Sequence, residues 1–170
     1  MAFPSKLKQT MMFNDGEAFI GETVSITPPK LVRKFEDYRA GGMSRAVKVD
    51  MGGEALEMEA TYGGPMRQIL RQHGMLNISG VQQRFVGSFQ NDDTGAVDVV
   101  EIVTRGRHEE IDMGEQKLGE GGEFKVKTAI AYYKLTWNGE TEIEINQLGM
   151  VFVVGGIDRL APIRDAMGIF

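Results

Sequence analysis

The chain contains no cysteine. That removes disulfides, thiolate nucleophiles and Cys-ligated zinc together, and it suits a protein that folds in a reducing cytosol. Histidine is nearly absent as well. His73 and His108 lie in separate segments without metal-ligand spacing, so a helix-end residue and a strand or loop residue are the expected roles. Long apolar runs are missing, and the longest, Met150 to Val154, is far too short to span a bilayer. The opening MAFPSKLKQTMMFNDG lacks the apolar stretch of a secretory signal, so a soluble protein is expected. Positive charge is not in excess. A net charge of −5 argues against a general nucleic-acid binder.

Catalytic signatures are also missing. The sequence holds no nucleophile elbow, P-loop, HExxH or dinucleotide fingerprint. GEGGEF carries no Lys-Ser/Thr and reads as a turn. In HEEID, Glu109, Glu110 and Asp112 offer carboxylates for a metal or for acid–base work, but a solvated face is the better reading. NDDTG starts like a calcium loop yet lacks its later ligands, so a hairpin turn is expected. No catalytic residue, metal ligand, cofactor or small-molecule substrate is assigned.

What is abundant is glycine, 22 residues against 5 prolines, often as pairs such as Gly41-Gly42, Gly52-Gly53 and Gly155-Gly156. Such punctuation implies many short elements within one domain spanning residues 1–170. Most of these elements have strand character. Phe19 to Ile26 is rich in β-branched residues. ALEMEATY sets Leu56, Met58, Ala60 and Tyr62 against Glu57, Glu59 and Thr61, a clean period of two. VQQRFVGSFQ and AVDVVEIVTR look like hairpin arms around NDDTG. TEIEIN alternates again, after a tight Asn-Gly turn in WNGE.

The longest strand signal runs from Phe124 to Trp137, with Phe124, Val126, Thr128, Ile130 and Tyr132 on one face. Lys125, Lys127, Ala129, Ala131, Tyr133, Leu135 and Trp137 form the other. A strand of roughly 45 Å is expected to outrun its own core and to meet something else. Helical signal is confined to GPMRQILRQHG, to GIDRLAPIRDAMG with Pro162 as an interruption, and to TPPKLVRKFEDYRAGGM at residues 27–43. In that last stretch Leu31, Phe35 and Tyr38 fall at i, i+4 and i+7, and helix and loop both stay open. The expected fold is mainly β: an antiparallel sandwich or barrel with one or two short flanking helices. Exposed edges would be protected if subunits paired into a closed ring, and stacked rings give a filament. Pattern alone also leaves a monomeric sandwich with charged faces open, and a monomeric β-barrel that binds or hydrolyses a small molecule is the second reading.

Several segments carry a resemblance. PKLVRKFEDYRAGGM, VKVDMGGEALEME, GSFQNDDTGAVDVVEIVTRGRHEEIDMGEQKLGE, AYYKLTWNGETEIEIN and GGIDRLAPIRDAMGIF occur in order along essentially the whole chain. Together they resemble the major tail tube protein of contractile-tailed bacteriophages and of R-type pyocins. The resemblance implies the phage tail tube fold, with hexameric rings closing a continuous inner β-barrel and stacking head to tail inside a contractile sheath. It implies sheath, baseplate and tail terminator proteins as partners and passing phage DNA as cargo. It also implies a place in the virion after assembly in the host cytoplasm. The tube of an R-type pyocin or of a related injection or secretion system is the alternative. Segment 27–43 then becomes a subunit contact, carried by Leu31, Arg33, Phe35, Tyr38, Arg39, Gly41 and Gly42, with the arginines reaching carboxylates across it. Glu57, Glu59, Glu142 and Glu144 are expected to face the lumen, where acidic faces without cations would repel the passing phosphates.

Overall fold

The computed structural model describes residues 2–169. The strands are β1 Lys6–Asn14, β2 Glu17–Ala18, β3 Thr23–Thr27, β4 Arg33–Tyr38, β5 Val47–Gly53 and β6 Leu56–Tyr62. After helix α1 Arg67–Arg71 come β7 Val81–Gln90, β8 Val97–Asp112, β9 Phe124–Trp137, β10 Glu140–Asn146, β11 Val151–Val154 and β12 Ile157–Asp158. Helix α2 Ala161–Met167 follows. Ten strands form one sheet in the order β12-β11-β10-β9-β8-β7-β1-β2, with β6 and β3 branching from β9, while β4 and β5 pair only with each other. All the registered pairs are antiparallel, as the sequence leads one to expect.

The branch explains the length of β9. β8 lines one side of it from Lys125 to Trp137. On its other side β6 takes Phe124 to Ile130, and β10 takes Tyr132 to Trp137. The strand therefore meets segments of its own chain on both sides, β6 and β10 dividing one of them. Its alternation also breaks once. Arg105 faces Tyr132 while the next residue, Gly106, faces Ile130, so Ala131 is an extra residue in a β-bulge. Ile130 and Ala131 are consequently both buried, and beyond them Tyr133 points into the core while Tyr132 is half-exposed. This reverses the two tyrosines relative to the strict period of two. Gly106 makes the bulge possible, because a Cβ there would lie 1.9 Å from the Ala129 carbonyl oxygen.

Other elements match or refine the expectations. β6 buries Leu56, Met58, Ala60 and Tyr62. The Asn91 side chain accepts the Asp93 and Thr94 amides at 2.8 and 3.2 Å, which folds NDDTG into the β7–β8 turn. Asn138 (φ 49°) and Gly139 (φ 85°) make the turn into β10. The strand read over residues 19–26 is broken at Gly21 (φ 78°), so only its second half, β3, pairs with β6. Pro162 does not interrupt a helix but sits in the first turn of α2, where a missing N–H costs nothing. Asp158 lies ahead of that helix in β12. It accepts the Leu160 amide at 3.0 Å and the Arg164 guanidinium at 2.6 Å, and this contact depresses its carboxyl pKa.

The core gathers Met12, Phe19, Leu56, Met58, Tyr62, Ile69, Phe85, Ile102, Phe124, Val126 and Tyr133. One tract within it is polar. His108, 6% exposed, places Nδ1 3.0 Å from Thr128 Oγ1 and Nε2 2.9 Å from Gln72 Oε1. The amide oxygen can only accept, so Nε2 carries the proton and Nδ1 accepts from the threonine hydroxyl. Gln72 donates in turn to Asn14 Oδ1 and Asp15 Oδ2, both at 2.6 Å, tying α1 to the end of β1. Both histidines thus sit where a structural role puts them, His73 just past α1 and His108 within β8.

Candidate assembly surfaces

Segment 27–43 is neither helix nor loop throughout: its centre is β4, one arm of a ribbon with β5. The helical spacing of Leu31, Phe35 and Tyr38 loses because β5 supplies hydrogen-bonding partners across the chain, a tertiary contribution that local propensity does not register. Every residue of β4 is exposed. Directly opposed pairs share a face, so Glu36/Val49 and Tyr38/Val47 form one side and Phe35/Asp50 and Asp37/Lys48 the other. Phe35 is 52% exposed, Tyr38 56%, Val47 49%, Val49 43% and Met51 55%. A two-stranded ribbon with both faces bare is marginal in water on its own. It has much apolar surface, and nothing among the described residues covers it.

The remaining predicted contact residues shape this ribbon. Gly42 (φ +85°) occupies a left-handed position at the tip, whereas Gly41 does not. Arg39 Nε donates to the Met43 carbonyl at 3.2 Å, closing the tip. Arg33 Nε pairs with Asp50 Oδ2 at 3.0 Å across the arms, and its guanidinium lies 5.0 Å over the Phe152 ring of β11. That hydrogen bond holds the Asp50 carboxyl below its usual pKa. Both arginines therefore have partners in their own chain, and Arg33 works as a strut between ribbon and body. Leu31 lies at the ribbon's base, 46% exposed. Beside it opens a largely apolar groove of about 480 Å³, lined among others by Val32, Ile143, Ile145, Phe152 and Leu160. No sequence signal marked this groove, because its walls come from the ribbon base and from β10–β11.

Glu57 and Glu59 project from β6 opposite to its buried residues, as their alternation requires. Their surface is not purely acidic, however. Glu57 Oε2 is 3.2 Å from Lys127 Nζ, and Glu59 stands opposite Lys127 in the register. Glu144 accepts the Tyr132 hydroxyl at 2.9 Å, faces Lys134 across the strands, and neighbours Arg105, whose guanidinium stacks 5.0 Å from the Tyr132 ring. Glu142 is the irregular residue of β10 and is exposed. The expectation of acidic faces without cations thus fails, because β9 interleaves Lys125, Lys127 and Lys134 between the glutamates. Among the described residues no cluster of three or more His, Asp or Glu side chains is placed to hold a metal ion.

Antiparallel strands with open edges and an uncovered apolar ribbon define a β-structured subunit with surfaces suited to assembly. The chain belongs to the phage tail tube protein FII family, whose profile matches residues 4–168. It is 42% identical over 172 residues to the tail tube protein of Escherichia phage P2, covering 99% of this chain and 100% of that one. It is 36% identical to the major tail tube protein of Serratia phage KSP20, covering 99% of both. Its fold is similar to a chain in the sheath/tube terminator structure of the extracellular contractile injection system PVC, with a TM-score of 0.60. That likeness holds at 8% identity and covers 79% of this chain and 97% of that chain.

Proposed function

We infer that the chain is the structural subunit of the inner tail tube of a contractile phage tail. It acts by polymerisation, as one tube domain over residues 1–170, with no turnover and no bound cofactor. Six copies close a ring by edge pairing, and rings stack head to tail into a hollow tube that conducts DNA into the host. The sheath surrounds this tube, with baseplate and terminator proteins at its ends. The finished subunit resides in the virion and is assembled in the host cytoplasm. The observation that carries this reading is the end-to-end match to two phage tail tube proteins. The bare β4–β5 ribbon supports it physically, since nothing among the described residues covers Phe35, Tyr38, Val47 and Val49 and a neighbouring copy would.

Leu31, Arg33, Phe35, Tyr38, Arg39, Gly41 and Gly42 shape or form that contact. Arg33 acts as its strut and Phe35 and Tyr38 as its anchors. Glu57, Glu59, Glu142 and Glu144 line the lumen together with their lysine neighbours, so passing DNA meets a wetted wall of mixed charge. A second reading, a tube of a contractile injection system, draws on the fold-level likeness to the PVC terminator chain. Neighbouring capsid genes, present or absent, separate the two. Negative-stain microscopy of the purified protein tests the shared claim. Rings or hollow rods of uniform bore are expected, and a monodisperse monomer at every concentration and salt would overturn it.

A further inference from the structure

The core also buries polar side chains that neither the tube role nor the network around His108 uses. Asn14 on β1, Gln83 on β7 and Thr104 on β8 stand directly opposite one another across three strands, all core-facing and at most 1% exposed. Asn14 is fully engaged. Its side-chain amide exchanges hydrogen bonds with Gln72, and its backbone carbonyl accepts from Gln68 Nε2 at 3.1 Å. Gln83 is the opposite case, because Nε2 and Oε1 both lack a partner among the described residues, as does Thr104 Oγ1 on the neighbouring strand. A leucine or valine at either position would pack in the same strand face without this penalty.

We propose that Gln83 and Thr104 hold an internal water site, with one or two waters bridging the Gln83 amide to the Thr104 hydroxyl within the sheet's core face. The chemistry of the lining selects the ligand. An amide N–H, an amide oxygen and a hydroxyl together call for a small neutral group that both donates and accepts. No carboxylate lies in this row to hold a cation, and the amide donor opposes one. Burial leaves no mouth for a larger molecule. A water needs two to four polar partners, and these two side chains present three unpaired atoms.

A side-chain-resolution map of the full chain, as a crystal or as an assembled tube, tests the site directly. Density within hydrogen-bonding distance of both the Gln83 amide and Thr104 Oγ1 is expected. A direct bond between the two side chains, or an empty gap, would overturn the proposal. Denaturation of the unassembled chain gives a second readout. Thr104→Val alone is expected to lower the midpoint by stranding the water, whereas Gln83→Leu combined with Thr104→Val restores it to the parent value or above. Single variants that each raise stability, with effects that add in the double, would show dry unpaired atoms instead.

Discussion

Acidification of the unassembled subunit isolates His108. Burial chiefly, with a smaller push from His73 and a small opposing pull from Asp15, lowers its pKa from 6.5 to about 4. The unfolded chain takes up this proton near pH 6.5, but the folded chain resists it until about pH 4. Stability is therefore fully present above pH 6.5 and falls as pH drops toward 4. At about 1.4 kcal/mol per pH unit, the shift corresponds to a loss of roughly 3 kcal/mol across that window. This is a large share of the ~5–15 kcal/mol that holds a typical domain together. Asp50 and Asp158, whose pKa values are depressed below 3.8, add to the loss only at the acid end of this window and below it.

Urea denaturation at several pH values between 7 and 4, in the parent and in His108→Gln, reads this slope. The glutamine retains a donor and an acceptor for Gln72 and Thr128 but does not titrate, so its profile is expected to flatten. An NMR titration of the His108 ring should show a midpoint near 4. Parallel slopes in the two proteins, or a ring that titrates near 6.5, would refute the reasoning.

Gly106→Ala drives a Cβ to within 1.9 Å of the Ala129 carbonyl at the β9 bulge. A loss of at least about 1–3 kcal/mol is expected in chemical denaturation, and a parent-like midpoint would contradict the bulge. Phe35→Ala and Tyr38→Ala, at ribbon positions 52% and 56% exposed, should leave monomer stability within about 0.5 kcal/mol. They should raise the concentration needed for assembly about tenfold or more, as read by sedimentation. Lost monomer stability with unchanged assembly would make these rings intrachain packing. A cysteine introduced as Glu59→Cys should resist a protein-sized maleimide in sheathless tubes while reacting with a small one. Equal reaction with both would place that face outside the lumen.

Local chemistry was legible in the sequence. The alternation of β6, both ends of β9, and the Asn91 and Asn138 turns follow from residues within a few positions of one another. What escaped depends on partners distant in sequence. The Ala131 bulge exists because β8 brings Gly106 opposite to it, and it swaps the environments of Tyr132 and Tyr133. The ribbon exists because β5 pairs with a segment whose own spacing suits a helix. Arg33 looked free for a neighbour until Asp50 and Phe152 arrived beside it. Segment 27–43 stood out in the sequence, but its strand form and its bare faces appeared only with the fold. The alternation of Glu57 and Glu59 against the buried residues of β6 was legible, yet the neighbouring strand determines the charge of a surface, and it brought lysines.

The central claim is that copies of this chain complete one another, and a cryo-electron microscopy reconstruction of its assembled form tests that most directly. Sixfold rings are expected, stacked around an open bore, with Phe35, Tyr38, Val47 and Val49 of each ribbon covered by an adjacent subunit. A reconstruction in which the ribbon stays solvent-exposed, or in which the chain remains a single particle, would contradict it.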